Sequence, residues 1–346
     1  MNPRTNKEVI NLSKRGNSLL RKKRYREAER VFLDALGMEE GNVYILVGLG
    51  NLYRELKQFD KSIEQYDKTL KIDPNNVFAL RGIGDCFRGQ QHPERAISYW
   101  LKYMEINSGD IHVIVRLADA HMKMGEHDKA ENYYLDALQI QGEDKYALMG
   151  IGCLYYHSNE DDKALEYFSK LLSLDENYVA VLTMVGNIHR RRLEYKQASK
   201  YYEKAIQYEP WNTIAQYGLG HCQRGMRNFD EAIVWWSKIL DKEPNNQDIH
   251  DRVGDALLTM GDFEHSLEHY RKSLSIGFDP YALIGLSKIH REMKHYEDAE
   301  NCCREVLREV PNHARTLEEF AEVLDCLGKT EEASEVREKL KHVTHE

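Results

Sequence analysis

In the stretch YILVGLGNLYREL, residues 44–56, apolar Leu46, Leu49 and Tyr53 fall three and four residues apart. That is the spacing of one buried helix face. After the turn QFD, the stretch KSIEQYDKTLKI follows the same rule with Ile63, Tyr66 and Leu70. Together the two stretches predict a helical hairpin, and the pattern returns along the whole chain. Gly16, Gly50, Gly84, Ala118, Gly152, Gly186, Gly220 and Gly254 lie 34 residues apart. Ala28, Ser62, Ala96, Ala130, Ala164, Ala198, Ala232 and Ser266 form a second column at the same step. After one deleted residue the columns resume at Ser287 and Ala321, and at Ala299 and Ala333. Self-similarity at such a period predicts a repeat array.

The small columns have a physical cause. Glycine inside a helix costs about 0.5–1 kcal/mol relative to alanine. Its recurrence at one position implies close approach of two helices. Four residues after the second small column stand Phe32, Tyr66, Trp100, Tyr134, Phe168, Tyr202, Trp236 and Tyr270, predicted to fill the space left between hairpins. Breaks containing proline punctuate the units: DPNN at 73–76, EPWN at 209–212, EPNN at 243–246 and VPNH at 310–313. Proline cannot continue a helix.

Ten units fill residues 9–346 as one continuous array, with residues 1–8 as a polar tail. The unit from Gln247 to Asp279 has 33 residues, which predicts an altered step at IGFDP. The last unit places Arg337 where others place an aromatic. A terminal repeat has no neighbour to cover it, so residues 314–346 are read as a cap.

The 34-residue step, small residues at repeat positions 8 and 20, a large residue at 24 and proline at 32 resemble the tetratricopeptide repeat family. The resemblance covers nearly the whole chain. It implies an all-α, right-handed superhelical solenoid of about ten helix-turn-helix repeats. It also implies a protein-interaction scaffold whose first helices line a concave groove.

Charge and cysteine content narrow the picture. The net charge of −9 opposes non-specific nucleic-acid binding. Residues 1–30 carry +7, leaving −16 on the remainder. Six scattered cysteines, none in C-x-x-C, suit free thiols in a reducing compartment and so a cytoplasmic protein. No signal-like segment opens the chain, and no run of eighteen apolar residues predicts a membrane span.

One motif raises catalysis. His265, Glu268 and His269 have the order H-x-x-E-H of a zinc protease. In the repeat register His269 falls beside Tyr270, and His265 and Glu268 fall on the back of the second helix. No third ligand is identifiable, so a packing or surface role is expected, with no metal and no cofactor. Cys302 and Cys303 occupy positions of packed aromatics and read as small buried hydrophobes. The Gly-rich triplets at 48–50, 82–84, 150–152 and 218–220 complete neither a dinucleotide fingerprint nor a P-loop.

In the resembling family, positions 2, 5, 6, 9, 12 and 13 face the groove. Position 2 supplies Tyr44, Phe78 and Tyr146, and position 5 supplies Tyr217. Position 6 is glycine at Gly48, Gly82, Gly150, Gly218 and Gly285, expected as a floor over which a peptide passes closely. Position 9 supplies Asn51, Asp85, Asp119, Asn187 and His221. Position 12 supplies Arg54, Arg88, Arg190 and Arg224. Asp85 and Arg88 are also spaced for an i,i+3 pair. The family's carboxylate clamp for chaperone tails is matched by Asn51 and Arg116, but not by Val47, Gly82 or His112. HRRR at 189–192, with Arg190 and Arg191, is the most basic groove segment.

An arginine ladder, an amide and carboxylate ladder and aromatic edges fit an extended peptide. The expected partner is a protein segment with acidic residues or a C-terminal carboxylate. The alternatives are a self-assembling, homo-oligomeric protein and, opposed by the charge, an RNA-binding helical repeat.

Overall fold

Every hairpin that the sequence predicts is formed. The computed structural model describes residues 3–345, with twenty α-helices and no strand among the described residues. They group into two compact units, Met1–Glu176 and Asn177–Glu346. The first unit pairs α1 (Pro3–Arg21) with α2 (Tyr25–Met38), α3 (Val43–Glu55) with α4 (Phe59–Ile72) and α5 (Val77–Gly89) with α6 (Pro93–Ile106). It continues with α7 (Ile111–Lys123) and α8 (His127–Ile140), then α9 (Lys145–His157) and α10 (Asp161–Leu174). The second unit pairs α11 (Val179–Arg191) with α12 (Tyr195–Tyr208), α13 (Thr213–Gly225) with α14 (Phe229–Leu240) and α15 (Gln247–Met260) with α16 (Phe263–Ile276). It ends with α17 (Pro280–Glu292) and α18 (Tyr296–Glu309), then α19 (Ala314–Cys326) and α20 (Thr330–His345). Within each unit the fold is an all-α solenoid of tandem hairpins.

Residues 3–8, read from sequence as a tail, continue helix α1. Proline is tolerated in a first helical turn, and nothing before Gly16 interrupts the backbone. Residues 1 and 2 lie outside the described residues.

The first helices start on caps supplied by the inter-repeat breaks. Asn42, Asn76, Asp110, Asp144, Asn212, Asn246 and Asp279 each accept a backbone N–H of the first turn. Such caps contribute about 0.5–2 kcal/mol each. The 33-residue unit loses its residue from the break itself. Three residues, 277–279, separate α16 from α17, where four, 73–76, separate α4 from α5. Gln247 spans this shortened junction, its Nε2 donating to the carbonyls of Ser273 and Gly277 at 3.1 and 3.0 Å.

Inside each hairpin the turn has one geometry. Position 15 is left-handed in all ten units: Lys23, Lys57, Gln91, Gly125, Asn159, Leu193, Arg227, Gly261, Lys294 and Gly328. The next N–H then reaches back five residues, as from Gln58 to the Tyr53 carbonyl at 2.8 Å. This is the helix-terminating pattern that glycine favours. Leu193, at φ 60°, is exposed and bears the steric cost of that conformation. Leu193→Gly is expected to stabilise the second unit by about 0.5–1 kcal/mol. Urea denaturation followed by circular dichroism measures it; an unchanged or lowered midpoint contradicts the account.

The small columns meet as close helix contacts. Ser62 Oγ donates to the Gly50 carbonyl at 2.7 Å, and Ser266 Oγ to the Gly254 carbonyl at 2.8 Å. The position-24 aromatics are the centre of the core. Phe32, Tyr66, Trp100, Phe168, Tyr202, Trp236 and Tyr270 are fully buried. Cys303 takes this place in the ninth unit, buried against Phe320 and Ala333, and burial pushes its thiol up to about 12. Both adjacent cysteines are free, which agrees with a packing role. Arg337 takes the place in the last unit, exposed and paired with Asp325, as a polar end requires. No helix is long and apolar enough to cross a membrane among the described residues.

Candidate functional site

The site is built on the first helices of the hairpins. Tyr44, Phe78 and Tyr146 are the second residues of α3, α5 and α9, at 77%, 57% and 70% exposure. A residue just past the cap stands at the helix end, clear of the packed hairpin. Exposed apolar groups mark a contact surface when they form a contiguous patch, whereas single ones are ordinary.

The glycines of position 6 do not form a groove floor. A Cβ on Gly48 would meet the Phe32 ring at 2.6 Å, and one on Gly82 the Tyr66 ring at 2.4 Å. Gly150, Gly218 and Gly285 face Tyr134, Tyr202 and Tyr270 at 2.2, 2.3 and 2.2 Å. Each aromatic therefore lies between a position-8 small residue of its own unit and a position-6 glycine of the next. The missing side chains make room for the protein's own core, so a passing peptide does not use that space.

Position 9 also serves the core. Asn51 Oδ1 accepts the Tyr66 hydroxyl at 2.8 Å, Asp119 that of Tyr134 at 2.6 Å, and Asn187 that of Tyr202 at 2.7 Å. A buried phenol needs such an acceptor. Where the aromatic is tryptophan, position 9 is released from this duty. Asp85, in the Trp100 unit, pairs instead with Arg54 at 3.0 Å and Arg116 at 3.4 Å. Asp85 thus joins neighbouring repeats, and its pairing is with these arginines, whereas the i,i+3 spacing had pointed to Arg88. Arg88 is exposed.

In the second unit, Arg190 Nε donates to the Tyr202 hydroxyl at 3.3 Å, and Arg224 lies over the Trp236 ring at 6.0 Å. Arg191 is exposed. His189, first of the HRRR run, donates Nδ1–H to Glu194 at 2.5 Å and stacks on Tyr201. His221 sits edge-on to Tyr217 at 4.6 Å and to Trp236 at 5.7 Å. Burial, then Arg252, Arg224 and Arg190, push its pKa down to about 3. Arg252 lies over Tyr217 at 5.2 Å and pairs with Asp248.

The H-x-x-E-H residues diverge. His265 Nδ1 donates to Asp262 at 2.8 Å, Glu268 is exposed, and His269 turns to His250. His250 donates Nε2–H to the Pro244 carbonyl at 3.0 Å, so its Nδ1 accepts from His269 Nδ1–H at 3.0 Å. Burial and His250 lower the His269 pKa to about 4.

The feature the column reading missed is a depression of about 470 Å³ on the first unit. Arg21, Lys23, Arg54 and Arg81 line it against a single carboxylate, Glu55, with Phe78, Tyr25 and Asn51 on its walls. Arg81 stands at position 5 and Arg21 and Lys23 at the first hairpin's turn. The +7 charge of residues 1–30 was the signal that could have found it. The depression on the second unit, about 400 Å³, mixes Lys288, Arg291 and Arg315 with Asp255, Glu318, Glu319 and Glu322.

Family models described as tetratricopeptide repeat match residues 43–76, 110–177, 194–254 and 248–276. No curated protein matches the chain. Among solved structures, the C-terminal part of a TPR repeat-containing protein from Cytophaga hutchinsonii is similar with a TM-score of 0.60 at 19% identity, over 70% of this chain and 99% of that one. A tetratricopeptide repeat protein from Parabacteroides merdae is similar with a TM-score of 0.52 at 16% identity, over 72% of this chain and 98% of that one. PilF from Pseudomonas aeruginosa gives 0.51 at 18% identity, over 61% of this chain and 97% of that one. At these identities the likeness concerns the fold.

Proposed function

Because the chain belongs to the tetratricopeptide repeat family, whose arrays serve as protein-interaction scaffolds, we propose that it binds an extended acidic segment of a partner protein on the first helices of residues 1–176. The observation that carries this reading is the depression lined by Arg21, Lys23, Arg54 and Arg81 with Glu55 as the one carboxylate of its lining, although Arg54 also pairs with Asp85 and Arg81 with Asp110 at 3.6 Å. Guanidinium groups bind carboxylates bidentately. Phe78 and Tyr25 beside them offer apolar contact at low entropic cost. Asn51, Arg88, Arg116, Asp119 and Tyr146 extend the same helical face, with Asp85 tying Arg54 and Arg116 in place. On residues 177–346, Asn187, Arg190, Arg191, Tyr217, His221 and Arg224 form a second, weaker candidate, since several of these groups already serve the core. The work is binding, without chemistry of its own. Six free thiols suit a reducing compartment such as the cytoplasm.

Fluorescence anisotropy with ten-residue peptides that are acidic, neutral or basic, with free or amidated C-termini, tests the reading. Acidic peptides are expected to bind, and Arg21→Ala/Arg81→Ala to weaken them about tenfold or more, as loss of two charge-assisted contacts implies. Affinity should fall with salt. Equal binding of acidic peptides to the variant, or a preference for basic ones, overturns it. Sedimentation across a concentration series, run in parallel, registers self-assembly if that is what the surface serves.

A further inference from the structure

The hairpin turns of the fourth and sixth repeats are closed alike. At repeat position 11 a histidine donates Nδ1–H to a glutamate at position 16, His121 to Glu126 at 2.5 Å and His189 to Glu194 at 2.5 Å. The backbone holds these two positions together in both turns, position 16 N–H donating to the position 11 carbonyl at 3.0 and 2.9 Å. The ninth repeat keeps the backbone bond, from His295 N–H to the His290 carbonyl at 2.8 Å. It also keeps the histidine, His290. The glutamate, however, is replaced by His295, and the acceptor of the histidine pair is gone. His290 Nδ1 is buried and has no hydrogen-bond partner. The two rings are 6.3 Å apart between centroids and tilted by 35°. Asp298, three residues on, completes the group, and one ligand atom from each of the three lies within 4.8 Å of the others.

We propose that His290, His295 and Asp298 bind a divalent transition-metal ion of the Zn²⁺ type, which closes the ninth turn where glutamate closes the fourth and sixth. The donor set is two imidazoles and one carboxylate. That mixture suits Zn²⁺ and Co²⁺, whereas Ca²⁺ and Mg²⁺ prefer shells of oxygen. Tetrahedral zinc with bonds of about 2.0–2.1 Å sets its ligand atoms about 3.3 Å apart. The exposed side chains of His295 and Asp298 close the remaining distance by rotation, with the backbone unmoved. Their exposure also leaves the fourth position open to water. The buried, unpartnered Nδ1 of His290 is the group that gains a partner, and the paired turns at His121 and His189 show that this nitrogen is elsewhere always engaged. The site lies in residues 177–346, whereas the basic depression that carries the peptide reading lies in residues 1–176.

The test uses the full chain, freed of metal by chelation, titrated with Zn²⁺ by calorimetry and with Co²⁺ by its visible d–d absorption. His290→Tyr and His295→Gln are the variants. The same repeat positions already hold Tyr53 and Gln58, so both substitutions fit the fold, and circular dichroism verifies it. The wild type is expected to show one equivalent that binds at least tenfold more tightly than any remaining in either variant, together with a Co²⁺ band that both variants lose. His269→Tyr should keep that equivalent, which separates the site from the His250–His269 pair. Equal stoichiometry and affinity in wild type and variants overturns the proposal, as does the absence of saturable Zn²⁺ binding in the wild type.

Discussion

Gly82→Ala is expected to destabilise the first unit by about 2–3 kcal/mol, although helix propensity alone would make it stabilising by about 1 kcal/mol. The sign is what tests the packing. Gly82 lies within α5, and its new Cβ would stand 2.4 Å from Tyr66 Cζ, 2.5 Å from Cε2 and 2.7 Å from the hydroxyl oxygen. Tyr66 cannot retreat, because it is fully buried and its other face meets Gly50, where a Cβ would stand at 2.5 Å. Its hydroxyl is also held by Asn51. Gly37, in α2, provides the control, with nothing within 4 Å of its Cβ position. Gly37→Ala should therefore stabilise by about 0.5–1 kcal/mol. A Gly82→Ala/Tyr66→Leu double variant should lose less than the two single losses combined, since leucine vacates the ring's edge. Urea titrations followed by circular dichroism read the wild type, both single variants of the pair, the double variant and Gly37→Ala. A stabilising Gly82→Ala would restore the position to an open groove floor.

Asp251→Asn is expected to stabilise the second unit by about 2–4 kcal/mol at pH 8 and by little at pH 4. Asp251 is buried in α15, with Oδ1 lacking a partner, and it faces the Asp279 carboxylate. Asp279 is already engaged, accepting from Tyr281 N–H at 2.7 Å and from Ser273 Oγ at 3.3 Å. Burial first, and the hydrogen bond to Asp279 next, push Asp251 up to about 8. The unfolded chain releases this proton near pH 4, whereas the native one keeps it to about pH 8. Across that window the native state binds more protons, so its stability falls as pH rises. Asparagine keeps a donor for Asp279 and removes the titration. His221 acts in the opposite direction, because its pKa is lowered to about 3 and its contribution is lost as pH falls from about 6.5. The difference between wild type and Asp251→Asn cancels that background. Denaturation curves at pH 4.5, 6 and 8 measure it, and an advantage that does not grow with pH contradicts the shared proton.

Much of the candidate site was legible as columns, but not as roles. Tyr44, Phe78 and Tyr146 were found by position and are exposed as a contact surface requires. The glycines of position 6 were assigned to a ligand because the column shows only that space is needed. It does not show whose. The same holds for Asn51 and Asn187, whose acceptors go to Tyr66 and Tyr202, fifteen residues away. The left-handed turn residue was present in the sequence as Gly125, Gly261 and Gly328, but non-glycine residues at the other seven turns hid it. The basic depression escaped because Arg21, Arg54 and Arg81 stand at three different repeat positions.

By itself the sequence determined the helical hairpin, its 34-residue period, the close contact of the small columns and the polar last unit. These follow from periodicity, which is a property of one strand of text and of the helix geometry that reads it. Only the tertiary structure decided which neighbour each column meets. Tyr66 reaches Gly82 in the next repeat, Arg54 reaches Asp85, and His290 is left facing His295 and Asp298. Stacking sets those meetings, because each hairpin completes its core and its hydrogen bonds against the hairpin beside it.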